Sequence, residues 1–208
     1  MRRTLLLALV LLIPPEVTAV VTRLRAYPRR FAVVVPGGLY RGGYPSAAQI
    51  RGLAGRERVR TIVSLTGRTE KPAEREMLAA AAELHLRVLR FPMPGNGCVD
   101  DWSVLDRAAD ALSRRSDWPI YFHCQAGKQR SNAVLAAYRM RHCGYSLRQA
   151  LEELERRYGL DAAGKERLLV EYLTRYAEHR GLSQPSAGEK TPATNRHSAE
   201  IGRWSGPD

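Results

Sequence analysis

A short apolar strand that runs through a glycine-containing loop into a helix is the feature that most constrains this chain. Residues 119–122 are apolar and predict a buried strand, and the apolar-rich residues 132–140 predict a helix. The loop between them, residues 124–130, is called the Cys124 loop below. Backbone N–H groups and the helix dipole favour negative charge at a loop of this kind. The unit therefore predicts an anion site within an α/β fold.

The residues of the Cys124 loop suit nucleophilic attack on a phosphate ester. Cys124 opens the loop in a positive field, so its thiol should ionise easily. Arg130 follows six positions later, and its planar, permanently charged guanidinium can bind two oxygens of one phosphate at once. A thiolate, an oxyanion site and a bidentate cation together predict a cysteinyl-phosphate intermediate. The alternative is an ordinary buried cysteine at the end of a strand.

The pattern His-Cys-x5-Arg-Ser, from His123 to Ser131, resembles the signature of the cysteine-dependent protein tyrosine phosphatase superfamily. Its composition looks most like the small dual-specificity and phosphoinositide-type branches, and the resemblance covers roughly residues 38–160. It implies that Cys124 is the nucleophile, that Arg130 binds the phosphate, and that no metal or other cofactor is needed. A rhodanese-like sulfur carrier is disfavoured because its active loop is typically shorter. The substrate-binding residues implied by the resemblance are Gln125, Ala126, Gly127, Lys128, Gln129 and Arg130.

Ser131 is the remaining catalytic candidate next to the loop. Its hydroxyl is placed to donate to the sulfur of Cys124, which would lower the pKa of the thiol and help it to leave in the second step. A serine in the first turn of a helix also bonds its own backbone, and the two roles are compatible.

Departure of the substrate oxygen also requires a proton donor, and the resemblance implies a carboxylic acid on a neighbouring loop. The segment after the strand predicted at residues 86–91 offers Asp100 and Asp101, which lie 24 and 23 residues before Cys124. This separation is shorter than the superfamily usually shows. Asp101 is well placed to cap the helix that begins near Trp102. We therefore favour Asp100 as the general acid and keep Asp101 as the alternative.

Lys128 bears on the class of substrate. A lysine inside the loop would direct charge toward the pocket mouth and suit a second phosphate, whereas a solvated loop lysine is the alternative interpretation. The sequence thus predicts a protein tyrosine or dual-specificity phosphatase. The alternatives are a phosphoinositide or inositol phosphate phosphatase and a catalytically weak phosphate-binding module.

The net charge of +12 suits an anionic partner, such as a phosphorylated protein, a phosphorylated lipid or inositol, or an anionic membrane surface. Nucleic acid is not expected, because no basic block is interleaved with aromatic residues. The three cysteines are not spaced for zinc. Cys98 could form a protective disulfide with Cys124 under oxidation, as the resemblance suggests, and Cys143 is predicted to be structural.

Strands that alternate with helices predict an α/β fold in one domain at residues 31–180, with a central, mostly parallel sheet of about four to five strands flanked by helices. The sequence from residue 181 to residue 208 predicts a disordered tail. Strands are predicted at 31–35, 60–65, 86–91 and 119–123, and helices at 47–53, 72–84, 102–114, 132–140, 147–158 and 162–178.

Residues 1–22 predict a signal anchor or a signal peptide. An apolar segment between Thr4 and Thr22 is just long enough to cross a bilayer, although Pro14, Pro15 and Glu16 weaken this interpretation. Nearby arginines favour a cytoplasmic position for the residues downstream of this segment. We therefore expect a membrane-anchored protein with a cytoplasmic catalytic domain, and the alternative is export after signal cleavage.

Overall fold

A computed structural model describes residues 26–182 of the chain as a five-stranded sheet with helices on both faces. The strands are β1 (Ala32–Val35), β2 (Leu39–Gly42), β3 (Thr61–Ser64), β4 (Arg87–Arg90) and β5 (Ile120–His123). The helices are α1 (Ala47–Arg56), α2 (Pro72–Glu83), α3 (Trp102–Ser113), α4 (Gln129–His142), α5 (Leu147–Tyr158) and α6 (Arg167–His179), and a 3-10 turn covers Arg115–Asp117.

The sheet is parallel except at one edge. Its order is β1-β2-β5-β3-β4, and only β1 runs antiparallel to its neighbour. The central strands β3 and β5 are buried along their whole length, as their apolar sequences predict for parallel strands covered on both faces. The predicted α/β class and mostly parallel sheet are confirmed.

Parallel pairing brings the carboxyl ends of four strands to one edge of the sheet. Gly42 and Ser64 both lie beside His123, and Ser64 also pairs with Arg90. The loops that follow β2, β3, β4 and β5 therefore meet at this edge, which is where open α/β sheets usually place a binding site.

Helices α1 and α2 cover one face of the sheet, and α3 to α6 cover the other. Helix α4 lies at the centre of the second face, with all residues from 131 to 140 buried. Because it is enclosed all round, α4 holds the start of its first turn in a fixed position against β5.

Local sequence signals set most helix ends. Ser46 and Ser146 each form a capping box with the glutamine three residues later, and Pro72 occupies the first position of α2. Helix α6 begins at Arg167 rather than near residue 162, because Glu166 and Asp161 bind backbone N–H groups and hold residues 161–166 in a turn.

Strand β2 was not predicted as a strand, although it lies next to β5 near the centre of the sheet. It follows Gly37 and Gly38 and ends at Gly42, and its third residue is Arg41, a residue type that seldom occupies a buried strand. The described residues contain no helix long and apolar enough to span a membrane. The segment predicted as anchor or signal, residues 1–22, lies outside the described residues, as do all but the first two residues of the tail predicted at 181–208.

Candidate active site

Cys124 lies immediately after β5 at the edge where the four loops meet, and its side chain is 2% exposed. Burial raises the pKa of a thiol, but here it is outweighed by hydrogen bonds to the sulfur. The donors are the hydroxyl and N–H of Ser131 and the N–H groups of Lys128 and Ala126, and the pKa of Cys124 lies below its ordinary value. The site therefore favours the thiolate, which is the nucleophilic form.

Three consecutive carbonyl groups of the Cys124 loop are hydrogen-bonded from behind. Gln125 O accepts from the N–H of Tyr44 at 3.1 Å, Ala126 O from Arg30 Nη1 at 2.9 Å, and Gly127 O from Arg41 Nη2 at 3.0 Å. In a trans peptide the N–H points opposite to the carbonyl. These contacts consequently direct the N–H groups of residues 126–128 toward the inside of the loop, where an oxyanion would sit.

Gly127 is required by this packing. Its φ is +67°, in the left-handed region, and a Cβ at this position would lie 2.6 Å from the carbonyl carbon of Gly42. Only glycine fits a backbone that must approach β2 so closely.

Arg130 and Ser131 lie in the first turn of α4, since the helix begins at Gln129. One nitrogen of Arg130, Nη1, lies 3.5 Å from Leu65 O at the end of β3, and its buried Nε has no partner among the described residues. The guanidinium thus retains donors for a bound oxyanion. Ser131 is fully buried, and its hydroxyl has no hydrogen-bond partner of ordinary geometry among the described residues. Its interaction with the sulfur of Cys124 lowers the pKa of that thiol.

His123 is fully buried and holds no charge near neutrality. Burial chiefly, with the charges of Arg90 and Arg130 adding, lowers its pKa to about 4, although the backbone of Cys124 opposes the shift. Its Nδ1 lies 3.4 Å from Cys124 O, and its ring packs between Tyr44 and Tyr121. His123 therefore supports the loop and is not a proton donor to substrate.

Arg41 and Asn132 support the loop and were not predicted as site residues. Arg41 is 1% exposed, and its Nη2 donates both to Gly127 O and to Asn132 Oδ1, the latter at 2.8 Å. Its guanidinium also lies 4.3 Å from the centre of the Tyr158 ring. In the sequence Arg41 is a charged residue close to glycines, a pattern that does not predict a buried strand.

The two candidate acids differ in their contacts. Asp101 caps α3, because its carboxylate accepts from the N–H of Ser103 at 2.9 Å and from its hydroxyl at 2.6 Å. Asp100 is exposed and makes no hydrogen bond or ion pair within residues 26–182. Its loop packs against the site at Gly97, where a Cβ would lie 3.0 Å from the backbone of Gln129. The cap leaves Asp100 as the carboxylate without a structural role.

Lys128 does not project freely from the loop. Its Nζ lies 3.7 Å from Glu166 Oε1, and the Glu166 side chain is 2% exposed. The other oxygen of Glu166 accepts from the N–H of Asp161 at 2.8 Å. The Lys128 charge is thus held toward the turn before α6.

All three cysteines are free thiols. Burial raises the pKa of Cys98, the opposite of the shift at Cys124, so Cys98 is the less reactive of the two. The pairing of Cys98 with Cys124 under oxidation stays a prediction.

Residues 35–168 match the family described as a DSP-PTPase phosphatase fused to NAD+ kinase. The chain is also 31% identical over 118 residues to the dual specificity protein phosphatase TpbA of Pseudomonas aeruginosa strain UCBPP-PA14. That alignment covers 57% of this chain and 50% of TpbA, so it spans about half the length of the curated relative.

Solved structures show the same fold. The crystal structure of P. aeruginosa TpbA superposes with a TM-score of 0.59 at 27% identity, covering 74% of this chain and 89% of that one. The catalytic domain of the PP-IP phosphatase SIW14 from S. cerevisiae, in complex with citrate, gives a TM-score of 0.56 at 22% identity over 75% of this chain and 95% of that one, and shows a shared fold.

Proposed function

The chain belongs to the family of DSP-type protein tyrosine phosphatases, and from that premise we propose that it hydrolyses phosphate monoesters through a cysteinyl-phosphate intermediate on Cys124. The observation that carries the proposal is the Cys124 loop itself, whose three carbonyl anchors turn its N–H groups inward around a buried, acidified thiol.

In the first step the Cys124 thiolate attacks phosphorus, forming the S–P bond as the P–O bond to the leaving group breaks. The inward N–H groups and Arg130 bind the equatorial phosphate oxygens, where charge is concentrated in the transition state. Asp100 donates a proton to the departing oxygen, so that it leaves as an alcohol or phenol.

In the second step a water molecule attacks phosphorus and the S–P bond breaks. Asp100, now ionised, accepts a proton from the water, and the products are inorganic phosphate and the Cys124 thiolate. The Ser131 hydroxyl stabilises this returning thiolate through the interaction that lowers the pKa of Cys124.

The mechanism is tested by Cys124→Ser with p-nitrophenyl phosphate as substrate. We expect hydrolysis to be abolished, and Cys143→Ser, at a half-buried cysteine outside the loop, to keep wild-type rates. Rapid acid quench of the wild type with a 32P-labelled substrate should trap label on Cys124. A purified wild-type chain that binds phosphotyrosine but gives no labelled protein and no burst of product would instead support the phosphate-binding module.

The substrate class proposed first is a phosphorylated protein. TpbA is described as a dual specificity protein phosphatase, and one of its structures, 26% identical to this chain with a TM-score of 0.55, holds phosphotyrosine. The ion pair between Lys128 and buried Glu166 also argues against a cation free to meet a second phosphate.

Inositol phosphates and phosphoinositides are the second candidates, because Lys128 would gain a second phosphate as partner if it left Glu166. Lys128→Ala should then reduce turnover of a doubly phosphorylated inositol more than that of a phosphotyrosine peptide, and exposed Lys165→Ala should change neither. Equal loss on both substrates would remove the reason to invoke a second phosphate.

We further propose that the amino-terminal segment tethers the enzyme to a membrane with the catalytic domain in the cytoplasm. The supporting features are the apolar residues between Thr4 and Thr22 and the arginines that come after them, each of which adds about 1 kcal/mol of attraction near an anionic leaflet. Amino-terminal sequencing of the mature protein tests this, since a chain that begins at Val20 would support export after cleavage instead.

A further inference from the structure

A cavity of about 300 Å³ lies behind the Cys124 loop, on the side of its carbonyl groups. We call it the rear cavity. Three of its lining residues are arginines, and the loop itself contributes Gly127. The lining residues used below are Arg30, Arg41, Arg157, Gly127 and Tyr158.

Arg41 is an incompletely satisfied buried cation in the wall of the rear cavity. Its Nη2 is occupied by Gly127 O and Asn132 Oδ1, but its Nε and Nη1 have no hydrogen-bond partner among the described residues. Burial lowers the pKa of Arg41 to about 10, which still leaves the group charged near neutrality. A buried guanidinium with unmade hydrogen bonds is costly, and a bound anion would relieve that cost.

The other two arginines add charge at the same place. Arg30 Nη1 donates to Ala126 O, and Arg157 Nη2 donates to Val33 O at 3.1 Å, so each guanidinium is held by a backbone carbonyl and keeps further N–H groups. Glu153 is the neighbouring carboxylate, but it is bound by Arg139 at 2.7 and 2.8 Å and lies 3.3 Å from Arg157. Because Arg139 and Arg157 share the carboxylate of Glu153, the lining of the rear cavity keeps an excess of positive charge.

We propose that the rear cavity is a second binding site for a tetrahedral oxyanion such as inorganic phosphate, distinct from the site inside the Cys124 loop. The volume admits a small anion, and the fork-like donors of three arginines suit phosphate oxygens. Because Arg30 and Arg41 also hold Ala126 O and Gly127 O, an anion that binds them would fix the loop from behind. Occupancy is thus coupled to the geometry of the catalytic cysteine without contact to the substrate.

The test is isothermal titration calorimetry of the full chain with inorganic phosphate, in an Arg130→Ala background that removes the bidentate ligand of the catalytic site. We expect phosphate binding to persist in R130A and to weaken at least tenfold when Arg157→Ala is added. The matched control is Arg156→Ala, because exposed Arg156 precedes Arg157 on α5 and, within residues 26–182, hydrogen-bonds only to Glu152 O. It should leave binding unchanged.

A second variant keeps the test valid in the case that Arg157→Ala does not fold. Arg30→Asn removes another cavity arginine at an exposed position, and asparagine tolerates the left-handed backbone there, with φ at 53°. It should also weaken binding at least tenfold, while the variant still unfolds in one cooperative transition whose melting temperature falls only by the loss of the exposed hydrogen bond to Ala126 O. Absence of phosphate binding in R130A, or equal weakening by R156A and R157A, would overturn the rear site. Calorimetry measures binding and not turnover, so a result that overturns the rear site leaves the proposed hydrolase activity untouched.

Discussion

Arg41 and Cys124 lie at opposite ends of one peptide unit, the one that joins Gly127 to Lys128. Arg41 Nη2 donates to the carbonyl of this unit at 3.0 Å, and its N–H donates to the sulfur of Cys124. The bond is trans, so the two groups point in opposite directions. A residue of β2 thereby sets the direction of a hydrogen bond to the nucleophile without touching it.

We expect Arg41→Lys to lower kcat on an aryl phosphate by about a hundredfold, the cost of a displaced reacting group. A single ammonium cannot bind Gly127 O and Asn132 Oδ1 in the fixed geometry of a guanidinium. The pH midpoint of Cys124 alkylation should rise in the same variant. Arg51→Lys, at an exposed ion pair with Glu83, is the matched control and should change neither quantity.

Ser131→Ala should raise the pKa of Cys124, because the variant loses the interaction with the Ser131 hydroxyl and keeps the three with backbone N–H groups. The rate of iodoacetamide alkylation against pH measures this pKa directly. A midpoint that does not move would show that the Ser131 hydroxyl has no part in stabilising the thiolate.

Rate and stability measurements can distinguish the two candidate acids, because Asp100 and Asp101 make different contacts. Asp100→Ala should lower kcat on phenyl phosphate about a hundredfold and remove the basic limb of the pH–rate profile, with little effect on unfolding. Asp101→Ala should keep the rate but lower the free energy of unfolding by about 1 kcal/mol, through loss of the α3 cap. The reverse pattern would identify Asp101 as the acid.

Gly127→Ala should lower the free energy of unfolding by at least about 2 kcal/mol and inactivate the site, because the left-handed backbone and the contact with Gly42 both exclude a Cβ. Gly55→Ala in α1 meets nothing within 4 Å and should be neutral or stabilise by up to about 1 kcal/mol. Urea denaturation of the two variants gives the comparison.

His123 makes the fold sensitive to acid. Its pKa is about 4 in the folded chain, against 6.5 for the ordinary group, so only the unfolded chain takes up this proton as the pH falls through 6.5. Stability should therefore drop between pH 6.5 and pH 4, by up to about 3 kcal/mol from this group. His123→Phe should lack that part of the pH dependence, whereas His85→Asn, at an exposed histidine, should retain it.

Much of the fold and the centre of the site could be predicted because the signals are local. Residues 119–131 contain strand, loop and helix in sequence, and caps such as Ser46 and Ser146 require only the next three residues. Strand β2 and the role of Arg41 depend on partners 86 and 91 residues away, and no local pattern reports such contacts. The partner of Lys128 is distant too, since Glu166 lies two helices further along the chain.

The three anchors behind the Cys124 loop also determine when the site can exist. Arg30, Arg41 and Tyr44 precede their loop carbonyls by 81 to 96 residues. Contacts that span such distances form only after most of the chain has collapsed, since closing long loops costs entropy before any contact compensates it. During synthesis, Arg30 and Arg41 are made before the loop carbonyls that they bind, so these contacts form only after the loop has left the ribosome. A nascent or partly unfolded chain therefore carries Cys124 as an ordinary thiol, and acquires the reactive one only on completing its fold.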